Sequence, residues 1–220
     1  MSDLSSDENE GYSIRPEDIP KVKPGMFVSG WDDPENENDI EEDKNPHETL
    51  EREILWAASS EEDNQQHLIE EILKKDPRLV HATDKDGYTP LHKACYNNNY
   101  ELAQLLLKYK ADPNKKTEYR WTTLHSACKW NNAKLAALML QHGADINAKS
   151  EGDQTPLHIT TTVSACRDTL VTLFMHPKID IQLVNNSNET AAQIAKRTGF
   201  SLPLFDMANS ALSVETGIID

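Results

Sequence analysis

Three histidines stand at a fixed interval in this sequence: His92, His125 and His158, each 33 residues from the next. Two cysteines, Cys95 and Cys128, share that interval. Imidazole and thiolate are common zinc ligands and also the two halves of a Cys–His nucleophile, so those are the chemistries such a set could perform. Either one needs the side chains to converge within a few ångströms. A constant interval of this length instead signals stacked copies of one unit. Equivalent residues on neighbouring packed helices lie about 10 Å apart, too far to share one metal ion. Cys95 and Cys128 then read as small buried apolar groups rather than reactive thiols. The eight glycines are scattered and none precedes a basic–hydroxyl pair, so the pattern of a phosphate-cradling loop is missing. No nucleophile, base and orienter stand in a recognisable constellation, and the expectation is a chain with no catalytic residue, no metal and no cofactor.

Composition narrows the alternatives. The chain has 220 residues, with 22 Lys and Arg against 37 Asp and Glu, a net charge of −15. Such an excess argues against direct nucleic-acid binding, because the phosphate backbone rewards basic side chains. No apolar run approaches the ~20 residues a membrane helix needs. The opening Met-Ser-Asp-Leu-Ser-Ser-Asp-Glu has neither the basic start nor the apolar stretch of a signal peptide. Three cysteines do not build a disulfide framework, which points to a reducing compartment. Much of the charge is concentrated in residues 1–48, where 15 acidic residues face four basic ones, a local balance of −11, and five prolines interrupt the chain. Such a segment cannot repay the entropy of ordering and is expected to be a disordered acidic arm. Within it, Phe27-Val28-Ser29-Gly30-Trp31 and Ile40 are apolar points in a field of carboxylates. The arm reads as a solubilising tail, as an activation-type segment that folds on a partner, or as a segment that docks on the rest of the chain.

Beyond the arm the chain repeats itself. Asp86-Gly87-Tyr88-Thr89-Pro90-Leu91-His92-Lys93-Ala94-Cys95 opens one unit, Thr122-Thr123-Leu124-His125-Ser126-Ala127-Cys128 the next, and Thr155-Pro156-Leu157-His158 a third. Each opening leads to an apolar patch and then a turn, as in Leu105-Leu106-Leu107 followed by Ala111-Asp112-Pro113-Asn114, or Leu138-Met139-Leu140 followed by Gly143-Ala144-Asp145-Ile146-Asn147. Asp145 and Asp180 are 35 positions apart, so the third unit carries about two extra residues, around Thr161–Cys166. Local chemistry says what each piece forms. Thr89 suits a helix N-cap and Pro90 the first helical position. Leu91 and Ala94 share one helix face, and so do Leu102, Leu105 and Leu106. Gly143 can close its helix in the left-handed conformation, which Lys110 at the equivalent place adopts only with strain. Partial units flank the full ones. Ile54–Ala58 and Leu68–Leu73 make a leading helix pair, and Glu189–Ala195 restarts the pattern before a last helix over about Ser201–Leu212.

The threonine-proline-leucine-histidine openings and the alanine-aspartate-x-asparagine closings recur together at this period, and the sequence resembles the ankyrin-repeat family. The resemblance implies an all-α ankyrin-repeat solenoid of about five helix pairs with β-hairpin tips. The full repeats would cover about 84–116, 117–149 and 150–184, with capping units at 49–83 and 185–213 and a flexible tail at 214–220. It implies that each histidine bonds its motif threonine and neighbouring backbone. Thr123 departs from the motif proline, and Thr123→Pro is expected to stabilise the domain by about 0.5–1 kcal/mol. Asn114 and Asn147 fall at positions that ankyrin proteins often present for hydroxylation. Hairpin tips and first helices of a solenoid line a continuous concave face. Set on that pattern, the partner-binding candidates are Tyr88, Lys93, Tyr96, Tyr119, Trp121, Lys129, Trp130 and Gln154, with Asn97, Ser126 and Ile159 beside them. Aromatic residues anchor interfaces because each buries a large area with few rotamers to freeze.

The resemblance implies a non-enzymatic interaction module, a regulator of gene expression found in nucleus and cytoplasm with the nucleus favoured, which binds protein partners as a monomer. The rival reading is a chaperone or assembly factor whose acidic surface shields a basic client.

Overall fold

A threonine begins most of the inner helices, for one physical reason. At Thr89, Thr122, Thr155 and Thr190 the backbone is extended, and the residue three positions on bonds back to the threonine, so orphan N–H groups of the first turn are paired reciprocally. In three of these boxes the returning partner is a histidine, and in the last it is Gln193. The computed structural model describes residues 49–60, 65–164, 166–199 and 203–205. The acidic arm through residue 48, the tail over 214–220 and most of the helix expected over Ser201–Leu212 lie outside these residues.

The described elements are helices α1 (Leu50–Ser59), α2 (Gln65–Lys75), α3 (Pro90–Tyr96), α4 (Tyr100–Lys108), α5 (Thr123–Lys129), α6 (Ala133–Gln141), α7 (Pro156–Thr160), α8 (Arg167–Phe174) and α9 (Ala191–Thr198). A short 3-10 helix, Pro77–His81, follows α2 and is capped by Asp76. Inner helices α1, α3, α5, α7 and α9 stack in that order, and outer helices α2, α4, α6 and α8 pack behind them. The core is one continuous seam. Leu91, Ala94, Leu106, Leu124, Ala127, Leu135, Ala136, Leu157 and Leu170 are fully buried along it, and the alanines let the inner helices approach closely. None of the helices among the described residues is long and apolar enough to cross a membrane.

The tips connecting the units are five-residue turns rather than the expected strand pairs. The described residues contain one isolated antiparallel bridge, Val184 to Thr190, and no strand. Each tip closes identically. The N–H of Asp84, Thr117, Ser150 or Asn185 donates to the carbonyl four residues on, at 2.9–3.1 Å. The fourth residue of each turn, Gly87, Arg120, Asp153 or Asn188, is left-handed, with φ between +54° and +82°. Loops this tight have no room for a ladder of their own, so they bond to one another. Glu118 N–H donates to Asp86 O at 2.9 Å, Glu151 N–H to Tyr119 O at 2.8 Å, and Asn186 N–H to Gly152 O at 3.0 Å.

Two departures from the motif find their reasons here. In the third unit α7 stops after Thr160. The Oγ1 hydroxyls of Thr160, Thr161 and Thr162 donate back to the carbonyls of Pro156, His158 and Ile159 at 2.8, 2.6 and 2.8 Å, which competes with helix continuation. The inserted residues follow at this point. In the second unit, buried Thr123 donates its hydroxyl to Pro113 O at 2.8 Å, a bond between units that proline cannot make. The expected gain from Thr123→Pro is therefore cancelled, since the lost bond is worth about 1 kcal/mol, the same size as the entropic benefit. Thr123→Val, which keeps the shape and removes the bond, is expected to cost about 1–2 kcal/mol in a urea denaturation series, and Thr123→Pro to change the midpoint little.

Candidate functional site

The histidines are structural ties. Each Nδ1 accepts from the backbone N–H of its threonine, at 3.2 Å for His92, 3.1 Å for His125 and 3.2 Å for His158, and the threonine hydroxyl lies within 2.9 Å in each case. That leaves Nε2–H to donate to the next unit, to Trp121 O at 3.3 Å, Gln154 O at 3.0 Å and Glu189 O at 3.1 Å. Burial is the main force on their charge. It drives the pKa of His92 and of His125 down to about 4 and lowers that of His158, so all three rings are neutral at pH 7. Burial also raises the Cys95 thiol strongly and pushes Cys128 up to about 12, so neither is a thiolate nucleophile at neutral pH. Cys95, Cys128 and Cys166 are free and buried.

Several residues expected on the concave face are withdrawn from it. Tyr88 and Trp121 are only 5% and 8% exposed. Each directly precedes its capping threonine, and its ring folds back over the histidine of its own unit. The Tyr88 ring stands edge-on to His92 with centroids 5.7 Å apart, and Trp121 tilts over His125 at 6.0 Å. Lys93 is also buried. Its Nζ lies 3.0 Å from Asp84 Oδ2, and the same carboxylate accepts the turn N–H groups of Asp86 and Tyr88. Ser126 and Ile159 are buried as well, and Gln154 is half-buried. Asn97 is used for stacking, its amide donating to Ser59 O at 3.0 Å, and from another position of its unit the Asn132 amide donates to Cys95 O at 2.8 Å.

What remains accessible is smaller and better defined. Trp130 ends α5 as its C-cap and is 37% exposed. Its indole meets the half-buried Tyr96 ring of the preceding unit edge-on, with centroids 4.6 Å apart and planes at 70°. Lys129 is half-buried beside it. At the other end of the same inner helix, Tyr119 projects from the turn, 42% exposed, while its carbonyl ties down the next turn. Trp56 adds an exposed ring that the sequence does not mark as such. Within Ile54-Leu55-Trp56-Ala57-Ala58 it looks like core, yet it is 40% exposed. Aligning Ala57-Ala58 with Ala94-Cys95 puts Trp56 at the register of Lys93, Ser126 and Ile159, all buried, so no signal in the sequence marks its exposure. Asn114 and Asn147 both bracket the following unit: Asn114 bonds Gly143 O and Asp145 N–H at 2.9 and 2.7 Å, and Asn147 bonds Lys178 O and Asp180 N–H at 2.8 and 3.0 Å.

The arrangement presents an aromatic pair and a solitary tyrosine on a fixed scaffold. Comparison with known proteins agrees with the architecture. The family profile described as ankyrin repeats in three copies matches residues 54–150. Over 222 aligned residues, the chain is 55% identical to ankyrin repeat domain-containing protein 49 of Drosophila melanogaster, covering 100% of both chains. It is 44% identical to the Homo sapiens protein of the same name, over 86% of this chain and 80% of that one, and 42% identical to the Mus musculus protein, over 86% and 81%.

Proposed function

The chain belongs to the ankyrin repeat domain-containing protein 49 family of ankyrin-repeat proteins, and from that premise we propose that it is a non-enzymatic adaptor regulating gene expression, chiefly in the nucleus. Ankyrin repeats are protein-docking modules. The observation that carries the reading is the Tyr96–Trp130 pair, because two units jointly hold an indole partly exposed at the end of α5. A side chain fixed before binding loses little entropy when a partner covers it. Tyr119, 42% exposed, is held by the turn bonds on either side of it and supplies a second contact.

Trp130→Ala is expected to lower partner capture about tenfold or more while far-UV circular dichroism and the melting temperature stay close to wild type. Proximity labelling with wild type and a Tyr119→Ala/Trp130→Ala variant would identify the partners as the proteins lost from the variant. Loss of helicity in Trp130→Ala would instead make the indole a core residue and remove the anchor. The net charge of −15 favours a second reading, a chaperone that shields a basic client. Salt separates the two. A basic client should dissociate steeply as ionic strength rises, and an aromatic-anchored partner should respond weakly.

A further inference from the structure

The junction of the first and second full units differs in charge from the chain as a whole. Residues 108–134 hold seven Lys and Arg against two carboxylates, Asp112 and Glu118, a balance of +5 within a chain of −15. Lys115 and Lys116, just before the turn that carries Tyr119, and Arg120 within that turn are exposed. At the far end of α5, half-buried Lys129 precedes Trp130, and exposed Lys134 stands in the first turn of α6. None of these five cations makes an ion pair with a described residue. Helix α5 joins the two clusters, and its seven residues span about 10 Å. The pattern is not repeated one period earlier, where the places of Lys115, Arg120 and Lys134 hold Ala82, Gly87 and Glu101. The field is strong enough that Lys116 is among the charges disfavouring protonation of His125.

The sequence contains one segment of matching chemistry. Residues 27–43 carry eight carboxylates and no Lys or Arg, with Phe27 and Trp31 at the leading end. We propose that this segment, Phe27–Asp43, docks in cis on the basic aromatic belt formed by Lys115, Lys116, Tyr119, Arg120, Lys129 and Trp130, and so competes with partners for that surface. The proposal rests on the belt being the partner face. Reach permits it. From Trp31 to Thr49 the chain can extend to roughly 60 Å, while α5 lies two packed layers, about 20 Å, from α1. Tethering supplies an effective concentration on the order of millimolar, so weak contacts suffice. Opposite charges bring the strand to the belt, and the two rings give the contact its register.

Zero-length carbodiimide coupling of the purified full chain tests this, with heavy- and light-isotope chains mixed to separate cross-links within one chain from those between chains. Cross-links from carboxylates 32–43 to Lys115, Lys116, Lys129 and Lys134 are expected within one chain, at least fivefold above those to the exposed Lys75, Lys178 and Lys196. Two variants leave every amine and carboxylate in place, Phe27→Ala/Trp31→Ala and Tyr119→Ala/Trp130→Ala. Each should reduce the belt cross-links about fivefold, with melting curves confirming the fold. Equal coupling to all exposed lysines, or coupling unchanged in both variants, would overturn the proposal, leaving only diffuse attraction. Mixed heavy–light products as the main species would overturn it in favour of a second copy. Because no partner is present, such a failure leaves the docking role of Trp130 to its own test.

Discussion

Lowered from pH 7.5 to pH 4.5, the protein is expected to lose several kcal/mol of stability, and the loss is expected to come from its ties between units. His92 and His125 titrate near 6.5 in an unfolded chain and near 4 when folded, with burial as the main cause. A depressed folded pKa means that the unfolded chain takes up the proton first. The stabilisation is complete above about pH 6.5 and falls as the pH drops towards 4. The slope is about 1.4 kcal/mol per pH unit for each histidine, amounting to roughly 3 kcal/mol each. Set against a typical domain stability of about 5–15 kcal/mol, that is a large share. His158, also depressed, adds in the same direction.

His125→Gln isolates one contribution, and the chain itself shows that the exchange is tolerable. Gln193 stands at the histidine position of the last unit, and its Oε1 accepts from Thr190 N–H at 2.7 Å. Glutamine at 125 should keep the capping box and lose the bond to Gln154 O. The variant is expected to be about 1 kcal/mol less stable at pH 7.5. It has one fewer proton to take up on unfolding, so its stability curve should cross that of wild type near pH 6 and lie above it at pH 5. Urea midpoints measured at half-unit intervals of pH would show the crossing. Parallel curves for the two proteins would mean that His125 is not held neutral by the fold.

The second large effect is expected at Gly87. Its φ is +82°, and a Cβ placed there would lie 3.1 Å from Thr117 Cα and 3.2 Å from Glu118 N. Those are backbone atoms of the next turn, and Glu118 N–H is the group that bonds Asp86 O. A β-branched residue would therefore meet two penalties, a strained left-handed backbone and a displaced bond between turns. Gly87→Val is expected to cost about 2–4 kcal/mol and to lower Tm by roughly 5–12 °C. Arg120 provides the contrast. It occupies the same turn position one unit later, at φ +60°, and already carries a Cβ. Arg120→Gly should relieve strain and gain about 0.5–1 kcal/mol. A Gly87→Val protein that melts like wild type would show that the turns do not bear on one another as the hydrogen bonds indicate.

The sequence alone determined the repeat register and the identity of the caps. Threonine, proline, histidine and alanine act over three or four residues of chain, so their spacing reports local structure wherever the unit sits. It also determined that the histidines and cysteines are buried parts, because a 33-residue interval separates equivalent side chains by a full packing distance. Only the tertiary structure decided which aromatic rings and amines are available. Tyr88 and Trp121 share a motif position, and both turn inward against the histidine of their own unit. Lys93 is spent on Asp84, a carboxylate from the turn beside it. Trp130 and Trp56 stay partly exposed, at 37% and 40%, Trp130 with the Tyr96 ring of the preceding unit edge-on to it. Exposure depends on which surfaces meet across units, and that is a property of the assembled stack that the alternation of residues along one unit does not encode.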